Sequence, residues 1–140
     1  MKRAAAVLGI LAAISGLAAI LFVLFGPTYS TGTCDSNGVC TTGTASLIQV
    51  GLAPVTAMFF AFMVMLLVAV ACAGLLVATG RTLAGLVILI VGFVFLVGAT
   101  VGTFAFGPAI VPTDLLTFAA VIAAARASRK PSSRAGVTPR

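Results

Sequence analysis

The fold is decided by residues 52–106, LAPVTAMFFAFMVMLLVAVACAGLLVATGRTLAGLVILIVGFVFLVGATVGTFAF. These 55 residues carry a single charge, Arg81. A helix at the surface of a soluble protein keeps a polar face toward water, whereas a helix that spans a bilayer needs about 20 apolar residues and no such face. The stretch is long enough for two spans. Thr79-Gly80-Arg81 separates them, because Gly suits a helix C-terminus and Arg is costly at mid-membrane. Residues 52–106 therefore predict a transmembrane helical hairpin with a tight turn at Arg81.

Apolar runs of spanning length make up most of the 140-residue chain. We therefore predict an all-α membrane protein, a four-transmembrane-helix bundle in one domain that covers residues 1–126. The predicted segments are spans at about residues 4–25, 52–79, 83–106 and 109–126, an outer loop at 26–50, and a basic, disordered cytoplasmic tail at 127–140. The first apolar run is longer than that of a signal peptide, so we expect an uncleaved first span.

The fourth span can be counted from two starts, because Pro112 stands near its beginning. Counted from residue 112 to 125 it is too short to cross a bilayer, and counted from 109 to 126 it is long enough. We therefore expect Pro112 in the first turn of the helix. Asp114 would then lie near the outer interface, where the positive end of the helix dipole favours an anion.

The charges are sorted by side in this arrangement. All eight basic residues fall on the side of the N-terminus, and both acids, Asp35 and Asp114, fall on the other side. The positive-inside rule then places both termini and Arg81 in the cytoplasm. Because topology accounts for the net charge of +6, we expect no nucleic-acid partner. The topology determinants that we identify are Lys2, Arg3, Arg81, Arg126, Arg129 and Lys130.

Histidine is absent from the sequence. The chain therefore lacks the commonest metal ligand and general base, and haem held by a proximal His is excluded. We predict no catalytic site, no metal site and no cofactor.

Cys34 and Cys40 flank a turn signal, Asn37-Gly38, in the outer loop. A three-residue hairpin loop at 36–38 would put Gly38 at the position that needs positive φ and would place the two cysteines opposite each other. Both face the oxidising side of the membrane, so we predict a disulfide that acts as a structural staple. Two thiols are too few for a metal site.

Three further features concern packing. Gly98 and Gly102 form a small-xxx-small pattern, which indicates either packing inside the monomer, the interpretation we prefer, or a dimer contact. Cys72 stands alone on an apolar helix and is expected to be a buried small hydrophobe. Ala and Gly are concentrated near the cytoplasmic ends of the spans.

Seven Phe residues map to the outer third of the spans. They favour a bundle that is tight on the cytoplasmic side and wider outside, where the space would hold either packed Phe rings or a shallow apolar pocket under the disulfide loop. The alternative is that these rings face lipid at the interface. The residues are Phe22, Phe25, Phe59, Phe60, Phe62, Phe104 and Phe106.

Gly26-Pro27-Thr28-Tyr29-Ser30, followed by Ser46-Leu47 and Pro54, resembles a segment of small bacterial four-helix membrane proteins, which carry a Gly-Pro-Thr-Tyr-Ser-like stretch just after the first span. The resemblance implies a four-span topology in a bacterial plasma membrane. It implies no activity.

The sequence leaves three functional hypotheses. The first is a non-catalytic accessory or structural component of the membrane or envelope, with the bilayer, anionic lipid at the basic tail, and a membrane-protein partner or a second copy as partners. The second is an oligomeric transporter or channel subunit, whose pathway would rely on Thr56, Thr100 and Thr103. The third is a membrane thiol oxidoreductase that uses Cys34 and Cys40.

Overall fold

The structure, a computed structural model, describes residues 2–102 and 107–129. It is mostly helical, with a two-stranded antiparallel sheet between the first two long helices. The elements in chain order are α1 (Lys2–Phe25), β1 (Tyr29–Cys34), β2 (Cys40–Ala45), α2 (Leu47–Val50), α3 (Pro54–Ala78), α4 (Thr82–Gly102) and α5 (Gly107–Ser128).

Four helices in the described part of the chain are long and apolar enough to cross a membrane: Lys2–Phe25, Pro54–Ala78, Thr82–Gly102 and Ala109–Ser128. The predicted set of four long apolar helices is therefore confirmed.

The four long helices form a closed ring. Helix α1 packs against α3 and α5, and α4 packs against the same two helices from the other side. The start of α1, the turn between α3 and α4, and the end of α5 lie at one end, which we call the basic end. The sheet and α2 lie at the other, which we call the hairpin end. Fully buried Leu89, Leu96, Val70 and Val77 fill the interior between them.

Glycine brings the helices close together at the basic end. A Cβ added to Gly74 on α3 would lie 3.0 Å from the carbonyl oxygen of Ala5 on α1. One added to Gly85 on α4 would lie 2.7 Å from the carbonyl oxygen of Ala73. Backbone therefore touches backbone here, as small residues at helix interfaces allow. This agrees with the tight end that the Ala and Gly content predicted.

The predicted tight turn joins α3 to α4. Gly80 has φ +102°, the amide of Arg81 donates to the carbonyl of Leu76 (3.0 Å), and the amide of Gly80 donates to the carbonyl of Val77 (3.3 Å). These two bonds are those of a Schellman motif, which ends a helix by satisfying its last carbonyls. The turn is short because Gly80 adopts a backbone conformation that is strained for other residues.

The outer loop forms the predicted hairpin. Cys34 and Cys40 are directly paired across the sheet and joined by a disulfide, and Gly38 has φ +80°. The amide of Asp35 donates to the carbonyl of Val39 (3.0 Å), which leaves a three-residue loop. The carboxylate of Asp35 accepts hydrogen bonds from the amides of Asn37 and Val39, both at 2.9 Å, so this acid stabilises the turn.

The short helix α2 was not predicted. It begins with a complete capping box, in which the Ser46 hydroxyl accepts from the amide of Gln49 and the Gln49 side chain accepts from the amide of Ser46. The sequence signal was present as Ser-x-x-Gln at 46–49. Leu47 is buried, and α2 contacts α1, so this turn attaches the base of the hairpin to the bundle.

Helix α5 departs from its prediction. It begins at Gly107, and Pro112 lies inside it rather than in its first turn. Pro112 has no amide hydrogen, so the helix lacks one hydrogen bond, the bond to the carbonyl of residue 108 in its first turn. The helix continues through Pro112 because this loss falls close to its N-terminus. The predicted end of the third span at 103–106, and the tail from 130 onward with Lys130, lie outside the described residues.

Candidate functional site

A group of polar side chains meets inside the apolar bundle, and we call it the polar layer: Ser15 on α1, Thr100 on α4, and Thr113, Asp114 and Thr117 on α5. Helix α5 therefore has polar contacts with both of its neighbours in the ring. In an apolar environment such side chains find partners within the protein, because water is not there to replace them.

Asp114 makes the shortest contact of the polar layer. The Thr100 hydroxyl lies 2.7 Å from Asp114 Oδ2, to which it donates. The same hydroxyl lies 3.0 Å from the carbonyl oxygen of Leu96. A hydroxyl has one hydrogen, so it serves one of these two acceptors at a time.

The other carboxylate oxygen of Asp114, Oδ1, is buried and has no hydrogen-bond partner among the residues that the structure describes. This position corrects the sequence prediction, in which Asp114 lay at the helix N-terminus. Helix α5 has no acid in its first turn. Asp114 lies seven residues after Gly107, about 10 Å along the helix at its usual rise. An ionisable group at such a depth in an apolar helix is uncommon and marks a site to be tested.

Two threonines continue the polar layer toward α1. Thr113 and Thr117 are completely buried, and they stand one helical turn apart on the same face of α5. The Thr113 hydroxyl donates to Ser15 Oγ (3.4 Å), and the Thr117 hydroxyl donates to the carbonyl oxygen of Thr113 (2.8 Å). Ser15 is the only polar side chain between Ala4 and Phe25, and its contact with Thr113 is a polar link between α1 and α5.

Only part of the predicted apolar pocket is present. Phe59 and Phe60 line a small cavity of about 10 Å³ at the hairpin end, together with Ala19, Ile20, Val23, Met63 and Ile110. Their rings meet edge to face with centroids 5.9 Å apart. A space of this size holds no lipid or comparable ligand.

The remaining rings of the predicted set do not line this cavity. Phe22 and Phe25 are 62% and 66% exposed. Phe62 is exposed too and packs edge-on against Phe95 of α4. For these three residues the pocket prediction is wrong, because their aromatic side chains lie on the outer surface of the helix bundle. Phe104 and Phe106 lie outside the described residues.

Gly98 and Gly102 do not pack against the described part of the monomer. Both are exposed, and a Cβ added to either would meet nothing within 4 Å among the described residues. The preferred interpretation of this pair is therefore wrong, and the dimer contact stays a prediction.

Cys72 also corrects a prediction, since it is exposed. It lies in a shallow apolar groove between α1 and α3 that has a volume of about 260 Å³. A position on an apolar helix therefore does not by itself make Cys72 a core residue.

The described charges are sorted as the sequence implied, apart from Asp114. Lys2 and Arg3 begin α1, and Arg81 follows the end of α3. Arg126 lies in the last turn of α5 and Arg129 directly follows that helix, so all five are at the basic end. Asp35 lies in the hairpin at the opposite end. Within residues 2–102 and 107–129, no group of three or more His, Cys, Asp or Glu side chains is placed to hold a metal ion.

No family model, no curated protein and no solved structure matches the chain. The resemblance of Gly26-Pro27-Thr28-Tyr29-Ser30 to small bacterial membrane proteins therefore stays a prediction. The polar layer was missed by sequence reasoning, although the spacing of Thr113 and Thr117 placed two hydroxyls on one helical face. Nothing in the sequence indicated that Thr100 and Asp114 would be partners.

Proposed function

We propose that this chain is a small multi-pass membrane protein that crosses the bilayer four times and works without a catalytic site, as an accessory or structural component of a membrane assembly. The observation that carries the proposal is the ring of four long apolar helices, whose outer surface is almost entirely apolar. Val55, Met58 and Met65 on α3 are each more than 70% exposed. In water such a surface would be a strong aggregation liability, whereas in lipid it needs no further cover.

Carbonate extraction tests the membrane part of the proposal. The protein should remain with the membrane pellet, and release into the supernatant would contradict the proposal. For the accessory role, chemical crosslinking in intact membranes followed by purification in mild detergent should give one defined larger species. A protein that stays monomeric over the whole range of crosslinker concentrations would argue against that role.

We also propose the orientation, with both termini and Arg81 in the cytoplasm of a bacterial cell and the hairpin outside. The sorting of charge between the two ends of the bundle supports it, since Lys and Arg favour the cytoplasmic side. The test uses Arg81→Cys and Ser36→Cys in a background that carries Cys72→Ser. A membrane-impermeant maleimide added to intact cells should label position 36 and leave position 81 unlabelled. Labelling of position 81 but not of position 36 would show that the topology is the inverse of the one we propose.

Two interfaces belong to this proposal. The basic residues at and beyond the end of α5, including Arg126, Arg129 and Lys130, would attract anionic lipid at about 1 kcal/mol each. The exposed pair Gly98 and Gly102 on α4 would serve a second copy, because small residues spaced by four allow helices to approach closely.

A second candidate function is an oligomeric transporter or channel subunit, and the buried Oδ1 of Asp114, unpartnered among the described residues, is the observation that favours it. The carboxylate and the hydroxyls of Thr100, Thr113 and Ser15 supply oxygen atoms in an otherwise apolar interior, as cation pathways do. Flux of protons and of monovalent cations into proteoliposomes tests this candidate, with Asp114→Asn as the variant. Flux that Asp114→Asn abolishes would establish it, and flux no greater than that of empty liposomes would dismiss it.

A further inference from the structure

We propose that the groove between α1 and α3 binds one acyl chain of an anionic phospholipid, whose phosphate is held by Arg3 and Arg81 at the basic end. This inference rests on the proposed membrane location. The groove is distinct from the cavity beside Phe59 and Phe60 and from the basic tail.

The lining of the groove fits a hydrocarbon chain. Ile10, Ile14 and Leu17 form its α1 wall, and Val68, Cys72 and Leu75 form its α3 wall, with almost no polar surface between them. The groove stays open because Ala13 and Ala71 line it between the larger side chains. A partner with polar groups would leave those groups without hydrogen bonds here, whereas an acyl chain has none to satisfy.

A positive charge heads the same face of α1. Arg3, Ile10 and Leu17 are spaced by seven residues, which places them on one side of a helix. Arg3 is exposed and begins this stripe. Its Cα lies about 10 Å from that of Ile10 and about 21 Å from that of Leu17 along the helix. A headgroup layer is about 5–8 Å thick and half the hydrocarbon core of a bilayer about 15 Å. A groove that lies about 10–21 Å below Arg3 therefore occupies the depth of an acyl chain whose headgroup lies at Arg3.

Arg81 supplies the second charge from the other wall. It follows α3 directly, and its amide bonds to the carbonyl of Leu76, which holds it against the end of that helix. Gly74, close to the end of α3, packs against Ala5 and Ala6 of α1. The end of α3 therefore lies beside the start of α1. Arg3 and Arg81 are thus at the same end of the bundle, the end nearest to Ile10 and Leu75 of the groove.

The experiment measures which lipid touches the groove. The chain has no Trp, so a single introduced Trp reports its own neighbours when it is quenched by brominated lipid. Leu75→Trp reports the groove, and Val87→Trp on α4 is the matched control. The two positions lie six residues on either side of Arg81 and are 48% and 58% exposed. Ile14→Trp is a second groove reporter, in case Trp at position 75 closes the groove itself.

The vesicles contain phosphatidylcholine and phosphatidylglycerol, with one or the other brominated. At position 75 or 14 we expect phosphatidylglycerol to be preferred by about 25-fold, because Arg3 and Arg81 each contribute about fivefold. At position 87 we expect little preference. Arg3→Gln should lower the preference about fivefold, whereas Arg129→Gln at the end of α5 should leave it unchanged. Ala71→Phe, whose ring fills the groove, should remove the preference for phosphatidylglycerol.

Other outcomes overturn the proposal. Equal quenching by both lipids at positions 75, 14 and 87 would mean an ordinary lipid contact. Efficient oxidative crosslinking of Cys72 to Cys72 between two copies, together with no lipid preference, would assign the groove to self-association. Absence of quenching at all three positions would instead contradict the membrane location itself, so the two failures are distinguishable.

Discussion

The two ends of the bundle are held together in different ways. At the basic end, Gly74 and Gly85 let neighbouring helices touch through their backbones. Toward the hairpin end, helices meet through hydroxyls and a carboxylate, as in Thr100 with Asp114, and the chain between α1 and α3 is closed by a disulfide. In the membrane location that we propose, lipid offers no hydrophobic drive between apolar helices, so close packing and hydrogen bonds are the two remaining means of association. This chain uses close packing at the basic end and hydrogen bonds toward the hairpin end.

The largest effect is expected at the basic end. Gly74→Leu should destabilise the bundle by about 3 kcal/mol or more, because the added Cβ meets the Ala5 carbonyl and the Ala6 Cα, which are backbone atoms that cannot rotate away. Unfolding by SDS in mixed micelles, followed by circular dichroism, measures it. If Gly74→Leu unfolds like the native chain, close packing at this end is not what holds α3 to α1.

A smaller and more local effect is expected in the hairpin. Replacing both Cys34 and Cys40 by Ser should cost the hairpin about 2 kcal/mol, from the entropy regained by the opened ring. The bundle should keep its stability, because Leu47 and the capping box of α2 still attach the hairpin base. Limited proteolysis measures the stability of the hairpin, and unfolding by SDS measures the stability of the helices. A bundle that loses stability along with the loop would show that the staple acts on the helices too.

The polar layer should contribute less to the free energy of unfolding than either of these features. Thr100→Val should cost about 1 kcal/mol, since it removes the donor to Asp114 Oδ2 and leaves that oxygen without this bond. Combining it with Asp114→Leu should recover most of the loss, because neither partner then remains unsatisfied. A double-mutant cycle on SDS unfolding gives the coupling. Strictly additive losses would mean that the two side chains do not interact.

The smallest effect on the monomer is expected for Gly98→Leu. It is the matched control for Gly74→Leu, because its Cβ meets no described residue within 4 Å. Leu is a better helix former than Gly, so the bundle should be unchanged or more stable by up to about 1 kcal/mol. Energy transfer between labelled copies in liposomes should nevertheless fall if Gly98 contacts a second copy. Unchanged transfer would remove the dimer prediction.

Much of the fold could be predicted because it depends on properties that single residues carry. Long apolar runs predict the four helices, Gly80 predicts the turn before Arg81, and the spacing of Cys34 and Cys40 around Asn37-Gly38 predicts the hairpin register and its disulfide. The capping box at Ser46 could have been read in the same way and was missed.

The face of each helix that packs inward could not be predicted in this way. These helices are apolar on every side, so no amphipathic stripe distinguishes a core position from an outward-facing one. That is why Gly98, Cys72 and Phe22 lie on the outside against expectation, and why the contact between Thr100 and Asp114 was invisible. The apolar runs and their flanking residues are enough to specify that four apolar helices form and where most of them end. Their rotation about their own axes is set by steric fit between neighbours, which involves pairs of distant residues and therefore exists only in the folded bundle.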